Sequence, residues 1–159
     1  MSTATPATRF LDRHKISYDV FEYSYGGGDG PIGLQAAEAI GWTPDRVFKT
    51  LMVELDGKPA CAVIPSDRSL SMKKLAKALK GKSATMMEPA KAERLTGFHT
   101  GGISPFGQKK AVPVLFDDTV LTVEHPVVIN GGKRGLMVCL DPVPAISALR
   151  AQVAAISIL

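Results

Sequence analysis

Two cysteines in 159 residues, a single tryptophan and no apolar run near the ~20 residues that span a bilayer are what this sequence is short of. The scarcity of cysteine excludes a disulfide scaffold, and both residues sit in apolar runs, Cys61 within 60–64 and Cys139 within 136–140, where a thiol acts as a small buried hydrophobe. No Cys-x-x-Cys and no histidine pair at ligand spacing is present, so neither a metal nor another cofactor is expected. Residues 1–13 are polar and carry no hydrophobic segment after a basic start, so the expectation is a protein without a secretion signal, at work in the cytoplasm and away from membranes.

The usual catalytic signatures are missing too. Gly102-Ile103-Ser104-Pro105-Phe106-Gly107 has one residue too many for the Gly-x-Ser-x-Gly elbow of serine hydrolases, and a proline where the helix of that elbow begins. Gly81-Lys82-Ser83 ends like a phosphate-binding P-loop, but the glycine required at position 76 is Ala76. His14, His99 and His125 lie beside turn signals without an orienting carboxylate.

What is present is ordinary globular composition, 45% hydrophobic and 21% charged, in a length that suits one domain over residues 1–159. Thr5-Pro6 caps a short helix over 7–14, and residues 18–23 alternate as a strand. The glycine-rich stretch 25–31 reads as a flap before a helix over 34–40. Residues 45–54 lead into a strand, Asp56-Gly57 is a hairpin turn, and 59–64 returns antiparallel. Ser71 caps a helix that Gly81 ends; 84–87 is a strand and Glu88-Pro89 opens another helix through Leu95. Strands follow over 112–116, 126–129 and 136–140, with a turn over 131–134, before a last helix over 145–151. Strands with irregularly interspersed helices give an α+β class with a mixed or mainly antiparallel sheet.

Two glycine clusters stand out. Thr100-Gly101-Gly102-Ile103-Ser104-Pro105-Phe106-Gly107-Gln108-Lys109-Lys110 and Asn130-Gly131-Gly132-Lys133-Arg134-Gly135 both set bare N–H groups beside cations, and they read as facing walls of one anion-tolerant site. Lys49 shares a strand face with Val47, Leu51 and Val53, where an ammonium is out of place. It either faces a polar cavity or protects an edge strand, and apolar residues on both faces favour a central strand and hence the cavity. Thr50, on the opposite face, reaches the same ligand by its backbone or a local twist. Lys73, Lys74, Lys77 and Lys80 line one helix side opposite Met72, Leu75, Ala76 and Leu79, with no carboxylate among them. With Lys109, Lys110, Lys133 and Arg134, and a net charge of +4, they suit a phosphate backbone.

Taken in order, these residues resemble the YbaK-type aminoacyl-tRNA deacylases, free-standing relatives of the editing domain of bacterial prolyl-tRNA synthetase. The resemblance runs from Phe10-Leu11 through Pro44-Asp45-Arg46-Val47-Phe48-Lys49-Thr50-Leu51 and Leu75-Ala76-Lys77-Ala78-Leu79 to the two glycine clusters. It implies a compact domain on a mixed, barrel-like sheet that hydrolyses the ester of a mischarged tRNA, first Cys-tRNA(Pro), without a cofactor. Its partners would be tRNA for proline and prolyl-tRNA synthetase. In that family the lysine matching Lys49 helps hold the tRNA 3′ end. The loop matching 101–105 surrounds the aminoacyl carbonyl, with amides of Gly101, Gly102 and Ile103 aimed at the oxyanion and Ser104 and Pro105 beside the substrate. For cysteinyl esters the substrate thiol is thought to attack its own ester.

Tyr23 matches a family tyrosine, whereas Ile32, Asn130 before Gly131-Gly132, and Met137 depart at positions that border the amino acid. Those departures leave cysteine, alanine, serine and threonine open as the residue removed. A non-catalytic module that binds tRNA or a synthetase is the contrasting reading.

Overall fold

The computed structural model describes residues 3–24 and 32–159, the side chains of residues 32 and 33 excepted. The flap expected over 25–31 and the side chain of Ile32 lie outside the described residues.

Three of the described helices begin where a side chain satisfies a first amide. In α1 (Pro6–Arg13) Thr5 and Thr8 form a reciprocal capping box with Pro6 in the first turn. After β1 (Asp19–Glu22) and α2 (Ile32–Ile40), a 3₁₀ turn over Pro44–Arg46 feeds β2 (Val47–Leu55). Asp56 and Gly57 take left-handed φ of 51° and 82°, as a two-residue hairpin turn requires, and return the chain as β3 (Lys58–Pro65). β4 (Ser69–Leu70) precedes α3 (Met72–Ala78), capped by the Ser71 hydroxyl on the Lys74 amide; Lys80, not Gly81, is the left-handed residue at its end. β5 (Ala84–Met86) leads to α4 (Pro89–Thr96), closed by Gly97 in the left-handed region.

The third part of the chain holds β6 (Val114–Asp117), β7 (Val127–Lys133), β8 (Leu136–Leu140), α5 (Pro142–Leu149), β9 (Gln152–Ala154) and β10 (Ser157–Ile158). One expectation changes here. Residues 131–133 are not a turn: β7 continues to Lys133 with a register shift between Asn130 and Lys133, and only Arg134-Gly135 turns the chain. The two glycines form a bulge, a feature that bends a strand locally.

The main sheet runs β1-β8-β7-β2-β3-β6-β9, and β4 pairs separately with β10. It is mixed and mainly antiparallel, as expected, with β2·β7, β3·β6 and β6·β9 parallel. β3 is buried on both faces from Ala60 to Ile64. One face packs Phe48, Met52, Cys61 and Val63 against α1, α4 and Phe106; the other packs Val53, Ala62 and Ile64 against Leu75 of α3.

The partnering of β2 is interrupted on one side. β7 pairs with it only at Val47 and Phe48, and β5 only from Val53 onward. Among the described residues, 49–51 therefore carry a free strand edge in the middle of the sheet. The Val47 carbonyl accepts from the Ser66 amide on the β3 side and the Met52 carbonyl accepts from the Met87 amide on the other. Alternation along an antiparallel ladder thus turns the backbone of Thr50 toward the gap.

Candidate active site

The gap in strand pairing opens onto a cavity of about 390 Å³. Its wall along β2 is Phe48 to Met52; Met86, Met87, Pro89 and Ala92 close one end, Thr100, Gly101 and Ile103 form the loop side, and Tyr23, Ala36, Asn130 and Met137 complete it. Seven of the residues singled out from sequence meet here: Tyr23, Lys49, Thr50, Gly101, Ile103, Asn130 and Met137. The methionines, Phe48, Pro89 and Ala92 make the lining largely apolar. Alternation along β2 gives Phe48 and Met52, but nothing local in the sequence marks 86–92 as part of a site.

Lys49 sits on a central strand at the point where that strand lacks a neighbour, so its setting combines a local edge with a cavity that is largely apolar rather than the polar one expected. It is half-buried, and its ammonium donates to the Ser66 carbonyl at 3.4 Å. Burial lowers its pKa, opposed by the Asp67 carboxylate. The Thr50 hydroxyl is shielded from solvent and has no hydrogen-bond partner among the described residues.

The two glycine clusters do face each other. A Cβ on Gly102 would come within 2.8–2.9 Å of the Lys133 and Arg134 backbone, so only glycine allows this approach. Asn130 joins them. Its Oδ1 accepts from the amides of Gly132 (2.6 Å) and Lys133 (3.2 Å), while Nδ2 donates to the carbonyls of Gly101 and Lys133, both at 3.3 Å.

Several expectations for the loop are corrected. The Gly102 amide donates to the His99 carbonyl at 2.8 Å and is not available as an oxyanion donor. Ser104 is fully buried, its hydroxyl accepting from the Phe106 amide and its carbonyl from Gln108 Nε2 at 3.0 Å, which makes it a turn residue outside the cavity lining. Pro105 lines a separate groove between α1 and α5, and Gly131 and Gly132 lie in the β7 bulge rather than on the cavity. The amides of Gly101 and Ile103 have no hydrogen-bond partner among the described residues, and both residues line the cavity.

The side chains around the cavity offer little acid–base chemistry. No cysteine, serine, histidine or carboxylate lines it among the described residues. Cys61 is buried behind Met52, its thiol pushed up to about 12 by burial against the opposing Gln108 contact. Among the described residues no cluster of three or more His, Cys, Asp or Glu could hold a metal, and no helix is long and apolar enough to cross a membrane.

The cations singled out from sequence lie in three places. Lys73, Lys74 and Lys77 are exposed on α3 and Lys80 in the turn that follows it, with Lys74 Nζ donating to the Ser157 carbonyl at 3.3 Å. Lys109 and Lys110 flank the C-terminal end of α4, their amides held by the Thr96 and Leu95 carbonyls. Lys133 and Arg134 border the groove beyond the glycine loop, together with Glu93 and His99.

Known proteins resemble this chain in sequence and in fold. Residues 34–144 match the family described as aminoacyl-tRNA editing domain. EbsC of Enterococcus faecalis, provisionally named a Cys-tRNA(Pro)/Cys-tRNA(Cys) deacylase, is 34% identical over 96% of this chain and 93% of its own. The proline–tRNA ligase of Moorella thermoacetica is 33% identical over 56% of this chain, a stretch that is 14% of the ligase. In fold, the crystal structure of a proposed trans-editing enzyme for prolyl tRNA synthetase superimposes with a TM-score of 0.85 over 99% of this chain and all of that one, at 22% identity. On the family match and the near full-length relative, this chain belongs to the aminoacyl-tRNA editing domain family.

Proposed function

We propose that residues 1–159 form one editing domain that hydrolyses the ester between a wrongly attached amino acid and tRNA, with Cys-tRNA(Pro) as first substrate. The observation that carries this reading is an apolar cavity lined by a lysine and by two loop residues with unpartnered amides, with no cysteine, serine, histidine or carboxylate among its described side chains. In this reading the site does not attack the ester itself. It orients the ester, and stabilises the charge that develops on its carbonyl oxygen.

In this reading Lys49 holds the tRNA 3′ end and the amides of Gly101 and Ile103 receive the oxyanion, an effect whose loss typically costs ~10²–10³ in rate. The substrate supplies the nucleophile: for a cysteinyl ester, the thiol sulfur bonds to the carbonyl carbon, the ribose oxygen leaves with the thiol proton, and the cyclic thioester so released is opened by water to free cysteine. Tyr23, Thr50, Asn130 and Met137 border the amino acid. The basic face of α3, with Lys109, Lys110 and Lys133, carries the tRNA backbone. The work is cytoplasmic, and the similarity to proline–tRNA ligases supports tRNA(Pro), with that synthetase as a partner.

The test is release of amino acid from tRNA(Pro) charged separately with cysteine, alanine, serine, threonine and proline. Selective hydrolysis of the cysteinyl ester is expected. Hydrolysis of a different non-cognate ester reassigns the substrate, and no hydrolysis above the spontaneous rate, with tRNA bound, moves the protein to the non-catalytic module.

A further inference from the structure

The glycine loop is held from outside the cavity by two side chains of opposite charge. Thr100 is clasped on both sides of its main chain: its N–H donates to Glu93 Oε2 at 2.7 Å, and its carbonyl accepts from Arg134 Nε at 2.7 Å. Glu93 stands on α4 and Arg134 in the turn between β7 and β8, so the clasp ties two elements through one residue of the loop.

The peptide geometry gives that clasp a direction. The Thr100 carbonyl and the Gly101 N–H belong to one planar trans unit and point opposite ways. Holding the carbonyl on the exposed Arg134 therefore sends the Gly101 N–H the other way, and Gly101 stands on the cavity wall. The next unit is pinned independently, its Gly101 carbonyl by Asn130 and its Gly102 N–H by the His99 carbonyl. Glycine has the widest choice of backbone conformations of any residue, so without these pins a Thr-Gly-Gly sequence would not keep one amide direction.

We propose that Arg134 and Glu93 are positioning residues of the site, which aim the Gly101 amide by clasping Thr100, and that Arg134 acts here rather than as a contact for tRNA phosphate. The inference rests on the reading of the Gly101 and Ile103 amides as oxyanion donors. Neither side chain touches substrate.

Steady-state deacylation of Cys-tRNA(Pro) by Arg134→Ala, Glu93→Ala and Glu93→Gln, with tRNA affinity measured alongside, tests it. Both alanine variants should lose about 10- to 100-fold in kcat with tRNA affinity changed less than about twofold, the scale expected when a catalytic group is misdirected by an ångström. Glu93→Gln should recover most of the rate, because its amide oxygen can accept the same N–H. Weaker tRNA binding by Arg134→Ala with kcat unchanged would overturn the proposal in favour of a phosphate contact, and so would a glutamine variant as slow as the alanine one. Backbone NMR of the free protein gives a second readout: the Gly101 amide resonance should move in Arg134→Ala, and an unmoved resonance overturns the clasp. If the wild type hydrolyses no ester, the proposed function fails, and the NMR result still decides on the clasp.

Discussion

At the level of single residues, the site depends on a few side chains and one missing side chain. Lys49 is legible in the sequence as a charge on an apolar strand face, and the two glycine clusters are legible as loops rich in bare amides. Which amide is used is not legible, because Gly101, Gly102 and Ile103 differ only in where their N–H groups point. That direction comes from Glu93, Arg134, Asn130 and His99, residues that are distant in sequence or have no motif of their own. Asn130 is visible as a departure from the family pattern, but its function as a bracket between Gly101 and the β7 bulge emerges only in three dimensions. The closest approach of the two loops gives a prediction. Gly102→Ala puts a methyl against the Lys133–Arg134 backbone, which cannot yield as a side-chain tip can, so it should cost about 1–3 kcal/mol of stability and slow deacylation. A denaturant melt indistinguishable from wild type would mean the loops separate freely.

Whole elements are easier to read where a local rule sets them. The β2–β3 hairpin follows from Asp56-Gly57, and the Asp56 carboxylate then anchors the segment leading into β5 by accepting from the Lys82 and Ser83 amides at 3.0 and 2.9 Å. α3 follows from its Ser71 cap and from Leu75 and Ala76 on one side with lysines on the other. The bulge in β7 is hidden because Gly-Gly-Lys-Arg-Gly has turn composition, and a bulge is chosen over a turn by register with the neighbouring strand. The lysine face of α3 makes a separable prediction. Replacing Lys73, Lys74, Lys77 and Lys80 by glutamine should weaken tRNA binding and flatten its dependence on log salt by about 0.7–0.9 for each phosphate no longer neutralised, while kcat at saturating tRNA holds. Unchanged affinity would make this a solvated face; Lys74 in particular already has a partner in the Ser157 carbonyl.

On the scale of the molecule, the class of fold follows from the alternation of elements, whereas the strand order does not. The parallel pairs β2·β7, β3·β6 and β6·β9 join segments far apart in sequence, and the short β4, β9 and β10 carry no pattern strong enough to announce them. Those last strands are held by Asp117, which is buried at the end of β6 and accepts from Thr119 Oγ1 (2.6 Å) and from the Ile156 and Ser157 amides (3.1 and 3.0 Å). Burial alone would raise its pKa, but these hydrogen bonds outweigh it and hold the carboxyl below its ordinary value. A depressed folded-state pKa contributes stability that is fully present above the unfolded value of about 4 and is lost as pH falls through the lower folded value. Asp117→Ala should therefore cost about 2–4 kcal/mol at neutral pH by orphaning two buried amides, and the gap from wild type should narrow in melts at acid pH. A gap that stays constant down to strongly acid pH would remove the carboxylate charge from the explanation.

The molecule as a whole is read as an apolar cavity, one lysine and two loop amides that hydrolyse an aminoacyl-tRNA ester without a protein nucleophile. The measurement that meets this most directly is the rate of cysteine release from Cys-tRNA(Pro) by wild type and by folded Lys49→Ala. Hydrolysis well above the spontaneous rate is expected of the wild type, with a loss of roughly 10²-fold in the variant, comparable to removing a group that orients or stabilises the reacting ester. Equal rates in the two proteins would contradict it.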